Sequence, residues 1–232
     1  MKKPTIIVFT GAGISAESGI KTFRDADGLW EGYDVQTVAS IEGWHSNKAL
    51  VLDFYNQRRK QLLTVKPNAA HAAIANLEKF YNVIVVTQNV DDLHERAGST
   101  NIIHLHGKLL EMKSEKNDAL VYPICGDIIL GDTATDGAQL RPNIVWFGEM
   151  VPEMDTAAYA TTKADALLVV GTSLQVYPAA SLLQYAPSKA PIIVVDKQIP
   201  EISNREIIAI ENTATKGVAL ATNWLRKHFE LG

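Results

Sequence analysis

Polar and glycine residues gather directly behind short apolar runs at four places in this chain. Gly11-Ala12-Gly13-Ile14-Ser15-Ala16 matches the dinucleotide pattern, with Ala in the third glycine position. Glycines let backbone approach a pyrophosphate, and a helix starting there offers free N–H groups and its positive end. Gln88-Asn89-Val90-Asp91-Asp92 collects amides and carboxylates suited to ribose hydroxyls and a carboxamide. His106-Gly107 sets an imidazole where a general base working near neutral pH can act. His104 is expected on the opposite face, in a structural role. Gly171-Thr172-Ser173 adds a second small-residue loop whose hydroxyls can contact phosphate. Taken singly, each cluster has a plain alternative: a tight turn, a helix cap, a hydrogen-bonded histidine. Together, at strand ends, they point to one crevice that holds a dinucleotide. Hydride transfer is disfavoured. The acid expected about 20 residues on should close a second strand, and residues 20–30 contain none.

The elements that must position these clusters are legible in outline. Apolar, β-branched runs at Thr5–Thr10, 83–87, Ala166–Val170 and 191–195, with a shorter one at 102–105, read as strands buried on both faces. Helical patterns lie at 47–63, 68–80, 152–163, 178–185 and 215–228. Strands alternating with helices predict an α/β fold: an open, mostly parallel Rossmann-like sheet with helices on both faces. Residues 108–141 break the rhythm with glycines and aspartates and read as a small irregular inserted module. Residues 22–40 are aperiodic too, as a functional loop would be. The whole chain, 1–232, is expected to form one catalytic domain, with residues 41–66 as a helical insertion.

Composition narrows the partners. Against 26 acidic residues stand 22 Lys and Arg, a net charge of −4, so bulk electrostatics favour neither nucleic acid nor an anionic membrane. One cysteine, Cys125, excludes an internal disulfide. No apolar run approaches the ~18 residues of a membrane span. Met1-Lys2-Lys3 and the apolar run behind it imitate a signal peptide, but that run is short and passes straight into Gly11. A cytoplasmic monomer is the expectation.

Gly11-Ala12-Gly13-Ile14-Ser15, Thr22-Phe23-Arg24, Thr87-Gln88-Asn89-Val90-Asp91, His106-Gly107, Pro142-Asn143-Ile144-Val145-Trp146-Phe147-Gly148-Glu149 and Gly171-Thr172-Ser173-Leu174 with Val176-Tyr177-Pro178 strongly resemble the sirtuins. These are NAD-dependent protein lysine deacylases. The resemblance implies NAD as cofactor and acyl-lysine proteins or peptides as substrates. It implies nucleotide contacts at Gly11, Ala12, Gly13, Ser15, Gly171, Thr172 and Ser173. Phe23 and Arg24 would sit on a loop closing over the cofactor, Gln88 and Asn89 on the ribose side, and Asp91 at the nicotinamide carboxamide. Asp196 stands where the family usually carries an Asn toward the adenosine ribose. His106 is similar to the catalytic base. Val90, Val145, Phe147, Gly148, Glu149, Val176 and Tyr177 resemble the segments between which the peptide pairs as an added strand. The implied chemistry is attack of the acyl oxygen on the nicotinamide-bearing ribose carbon, giving O-acyl-ADP-ribose.

Two features mark a subgroup. The small module of most sirtuins binds zinc through four cysteines; with Cys125 alone and no histidine in residues 108–141, such a site is excluded here, and no metal is expected. Tyr55 and Arg58 share a helix face, and with Ala39 they resemble sirtuins that prefer acidic acyl chains. There the hydroxyl and guanidinium clamp the distal carboxylate of succinyl- or malonyl-lysine. Arg59 or Lys60, by contrast, is expected on the solvated side. A protein ADP-ribosyltransferase, or a non-catalytic NAD or ADP-ribose sensor, are the competing readings.

Overall fold

The alternation of Ile6, Val8 with Ile7, Phe9 along one strand already demands helices on both sides of a sheet. The computed structural model describes residues 3–21, 29, 30, 32–202 and 205–229. Along them run β1 Thr5–Thr10, β2 Leu29–Trp30, β3 Tyr33–Asp34, α1 Val35–Val38, α2 Ile41–Ser46, α3 Lys48–Thr64, α4 Ala69–Leu77, β4 Asn82–Thr87, α5 Leu93–Ala97 and β5 Ile102–His104. Then come β6 Gly107–Ser114, β7 Val121–Pro123, β8 Leu140–Ile144, α6 Met154–Thr161, β9 Ala166–Val170, β10 Ile192–Asp196, β11 Ile207–Glu211 and α7 Ala214–His228. Six strands form a parallel sheet in the order β11-β10-β9-β1-β4-β5.

The odd and even positions of β1 divide the core. Ile6 and Val8 pack with Ala70, Ile74, Val218 and Leu225 beneath α4 and α7. Ile7 and Phe9 pack with Ala157, Leu182 and Leu183 beneath α6 and the 3₁₀ helix Ala179–Tyr185. The sheet grows from β1 through β4 to β5 on one side and then from β9 outward on the other. The strand order therefore reverses around β1, where open α/β sheets bind ligands. Among the described residues, no helix is long and apolar enough to cross a membrane.

Three expectations change. The sixth strand, β11, was not anticipated; its five residues lie at the sheet edge with Ala209 and Glu211 exposed, so they lack the burial signature of a central strand. The helix expected behind Gly11 is replaced by two 3₁₀ turns, Ala12–Ile14 and Ala16–Ser18, the second closed by Gly19 in the left-handed conformation. The positive end of a long helix is therefore not what faces a ligand there. Finally, Arg59 is not solvated: only 1% of it is exposed.

That arginine belongs to the joint holding the small module. The module is an antiparallel sheet, β7-β6-β8. Leu109, Ile128, Leu140 and Ile144 pack against Val51, Leu52, Phe54 and Leu62 of α3. Asn56 brackets Ile128, donating Nδ2 to its carbonyl at 2.9 Å and accepting its N–H at 3.0 Å. Arg59 donates Nε to the Leu109 carbonyl at 2.9 Å and NH1 to Asn56 Oδ1 at 2.8 Å and the Gly126 carbonyl at 3.1 Å. Lys60 pairs with Asp127 at the surface. Among the described residues, no group of three or more His, Cys, Asp or Glu is placed to hold a metal, and Cys125 is exposed. A four-thiolate zinc site does not fit these residues. Asn56→Ala, which strips the buried Ile128 peptide groups of their partner, is expected to cost about 1–3 kcal/mol in urea unfolding. Chelators should leave the unfolding midpoint unmoved; about one zinc per chain, released on unfolding, would contradict this account.

Candidate active site

The crevice is built where two glycine loops touch. Gly13 N donates to the Gly171 carbonyl at 2.9 Å. A β carbon on Gly171, whose φ is +63°, would lie 2.4 Å from Ile14 N. One on Gly11 would lie 2.8 Å from the Thr172 Cβ. These glycines are thus required by the approach of the two loops to each other, and Ala12 and Ser173 stand beside them. Asn68, the N-cap of α4, ties the first loop down by donating Nδ2 to the Ile14 carbonyl at 2.8 Å.

The end of β4 joins both loops. Gln88 Nε2 donates to Thr172 Oγ1 at 3.0 Å. Asn89 Nδ2 donates to Ser15 Oγ at 3.2 Å, and Ser15 Oγ donates to Asp91 Oδ2 at 2.9 Å. Ser15 and His71 approach at 3.5 Å. Behind them Thr10 Oγ1 donates to Thr87 Oγ1 at 2.8 Å and lies 3.1 Å from His94 Nε2, whose ring stacks edge-on against His71.

β5 supplies the imidazoles. His106 Nδ1 lies 3.1 Å from the Gln88 carbonyl and His104 Nδ1 3.2 Å from the Asn89 carbonyl. A carbonyl only accepts, so each Nδ1 carries the proton, and His106 Nε2 presents a lone pair. Residues two apart share a face of a continuous strand, so the expected opposition of His104 and His106 does not follow from the period. They differ because β5 ends at His104. His104 is buried and its Nε2 meets Glu95 at 2.7 Å, a structural pairing, whereas His106 is half-buried. Burial holds the His106 pKa below its ordinary value, partly offset by the Gln88 carbonyl.

A cavity of about 50 Å³ opens beside this cluster, lined by Ile20, Lys21, Tyr55, Arg58, Gln61, Leu62, Val90, Asp91 and Leu109. Tyr55 and Arg58 were expected there; Val90, expected among the peptide-pairing segments, lines it too. Ala39 is not in the lining; it is buried in the neighbouring core and its carbonyl accepts Phe147 N at 2.9 Å. Lys21 and Gln61 were missed. Gln61 is the next turn after Arg58, a spacing that sequence could have shown. Phe147, Gly148, Val176 and Tyr177 line an open surface, with Tyr177 70% exposed. Glu149 is held inward by Arg141, at 2.6 and 3.0 Å, and accepts Trp146 N. Asp196 ends β10, buried, with Oδ1 accepting Gln198 N. Phe23 and Arg24 lie outside the described residues.

Burial pushes the His71 imidazole down to about 4 and the His94 imidazole down to about 3. It raises the Asp91 carboxyl to about 6, against the pull of its hydrogen bonds from Leu93 and Ser15. Unfolded histidines bind protons near 6.5, so the unfolded state takes up more protons below that pH and stability falls as pH drops toward 4. Asp91 acts oppositely between about 6 and 4, offsetting one histidine. One uncompensated histidine loses about 1.4 kcal/mol per pH unit. Urea unfolding at pH 7.5, 6 and 5 should show this decline, and His94→Gln should flatten it; rising stability toward pH 5 would refute the assignment.

With this geometry in hand, comparison with known proteins is specific. The Sir2 family model matches residues 11–178. An NAD-dependent protein deacylase of Helicobacter pylori (strain ATCC 700392 / 26695) is 60% identical over 191 residues, 82% of this chain and 83% of that protein. One from Bacteroides thetaiotaomicron is 51% identical over 220 residues, 92% of this chain and 94% of that one. The solved structure of a Sir2 homologue–NAD complex superposes with a TM-score of 0.86 at 34% identity, covering 97% of this chain and 91% of that one. The chain belongs to the Sir2 family, the sirtuins.

Proposed function

We propose that this chain removes succinyl and malonyl groups, as well as acetyl, from protein lysines with NAD as co-substrate. NAD-dependent deacylation is the activity for which its relatives are named. The finer reading is carried by the cavity wall. Tyr55 and Arg58 stand on one face of α3 in a pocket lined also by Ile20, Leu62, Val90 and Leu109 and, among polar residues, by Lys21, Gln61 and Asp91. A phenol and a guanidinium among apolar side chains suit a short acyl chain ending in a carboxylate. Lys21 adds a second cation to the same lining.

Bound NAD supplies the ribose carbon that accepts the acyl oxygen as nicotinamide leaves. The chain's part is to place and deprotonate. Gly11, Ala12, Gly13, Gly171, Thr172 and Ser173 are assigned to the phosphates and ribose of the nucleotide. Gln88 and Asn89 are assigned to the ribose side, Ser15 and Asp91 to the carboxamide, and Asp196 to the adenosine ribose. Phe23 and Arg24 are assigned to the closing loop. His106 Nε2, with Nδ1 committed to the Gln88 carbonyl, is the base for a ribose hydroxyl. The peptide is assigned to the strip between residues 145–149 and Val176-Tyr177, as an added strand.

Assay on acetyl-, malonyl- and succinyl-lysine peptides with NAD tests this directly. The expected product is O-acyl-ADP-ribose; ADP-ribose attached to the peptide would instead favour transfer. Arg58→Met should lose one to two orders of magnitude in kcat/KM on succinyl-lysine, roughly the worth of a charge-assisted hydrogen bond, with deacetylation spared. Equal loss on both substrates would remove Arg58 from the clamp. His106→Ala should retain nucleotide binding and lose ~10²–10⁴-fold in turnover. Since its pKa is depressed, the acid limb of the wild-type rate should fall below pH 6.5.

A further inference from the structure

His104 sits between two groups that accept. Its Nδ1 lies 3.2 Å from the Asn89 carbonyl and its Nε2 2.7 Å from Glu95 Oε1, with the ring buried. A neutral imidazole has one N–H and could satisfy only one of them. With Glu95 ionised, both ring nitrogens carry protons and the pair is a charged one. Burial alone would raise the Glu95 carboxyl, but the hydrogen bond and charge of His104, with Lys108 behind them, hold it below its ordinary value.

What this ring grips leads on to Asp91. Asn89 is fixed at three points: its carbonyl by His104, its N–H by Thr87 Oγ1 at 3.0 Å, and its side-chain amide by Ser15 Oγ at 3.2 Å. Ser15 in turn donates to Asp91 Oδ2 at 2.9 Å. Asp91 is buried at the cavity wall. Burial raises its carboxyl to about 6; the bonds from Leu93 and Ser15 and the charge of His104 pull it down, while Asp92 pushes it up. Lys21 and Arg58 share the cavity lining with it, and the nearby His71 and His94 are kept neutral by burial.

We infer that Glu95 and His104 are a positioning pair for the cofactor: the protonated ring pins the Asn89 carbonyl and backs Asp91 with positive charge, so that Asp91 meets the nicotinamide carboxamide as an ionised acceptor. An ionised carboxylate only accepts, whereas a protonated one brings an O–H into competition with the carboxamide N–H. The inference rests on the assignment of Asp91 to the carboxamide made above.

The test separates charge from scaffolding. Glu95→Gln neutralises the pair yet keeps both ring contacts, because a neutral imidazole can accept from the amide. His104→Asn removes the ring and leaves one N–H donor for the Asn89 carbonyl. NAD and ADP-ribose, which has no carboxamide, are titrated without peptide, so that the chemistry at His106 does not enter. At pH 6.5 each variant should bind NAD about three- to tenfold more weakly, with ADP-ribose within about twofold of wild type. At pH 8.0 the NAD defect should shrink to within about twofold, because Asp91 ionises there without help. Unchanged NAD binding at pH 6.5, equal losses for the two nucleotides, or a loss that is the same at both pH values overturns the inference alone. An Asp91→Asn protein that binds NAD as tightly as wild type overturns the carboxamide assignment, and the inference with it.

Discussion

A β carbon on Gly13 would fall 2.6 Å from the Gly171 α carbon, and the rest of the site depends on that contact being possible. Because the loops behind β1 and β9 can touch, Gln88 reaches Thr172 and Asn89 reaches Ser15. The strand ends therefore become one hydrogen-bonded floor. A methyl group at Gly171 has nowhere to go, since its neighbours are backbone atoms of Gly13 and Ile14. The glycine pattern often read as room for a pyrophosphate is here first a condition of loop packing.

The second constraint is the seat of α3. This helix presents opposite chemistries on adjacent residues: Arg58 to the cavity, Arg59 to the small module. Arg59 and Asn56 grip carbonyls from Leu109, Gly126 and Ile128, so the module and the cavity share α3 as one wall. Truncating a buried arginine strands its acceptors as well as removing a charge. A module without a metal can thus still hold its place, since backbone groups of residues 126–128 meet side chains in good geometry.

How far the sequence foretold this varies with the kind of information involved. The four long central strands were legible because continuous apolar runs have few other uses in a soluble fold. His106, Gln88, Asn89 and Asp91 were legible because strand-end polar clusters converge whatever the loop details. The 3₁₀ turns behind β1 were not: Gly11 to Gly19 contains three glycines and two serines, poor material for the helix that the motif suggests. Arg58, Arg59 and Lys60 look equivalent in sequence. Helical phase sets Arg59 one turn from Tyr55, but its carbonyl partners come from residues 50 and 67 positions away, which no local pattern reveals.

The buried histidines show why the floor is stiff. Thr10, Thr87 and His94 form a hydrogen-bonded layer beneath Ser15, Asn89 and Asp91, and His71 caps α4 while touching Ser15. The neutral His71 imidazole meets Ser15 at Nε2 and accepts the Asn68 N–H at Nδ1, where a charged group would need a counterion. His104, also buried, instead lies between two acceptors, with Glu95 at its far nitrogen and the Asn89 carbonyl at its near one. Consecutive carbonyls, Gln88 and Asn89, are thus each held by an imidazole. The difference between them lies at the far nitrogen and in the strand: Glu95 meets Nε2 of His104, whereas His106 lies beyond the end of β5.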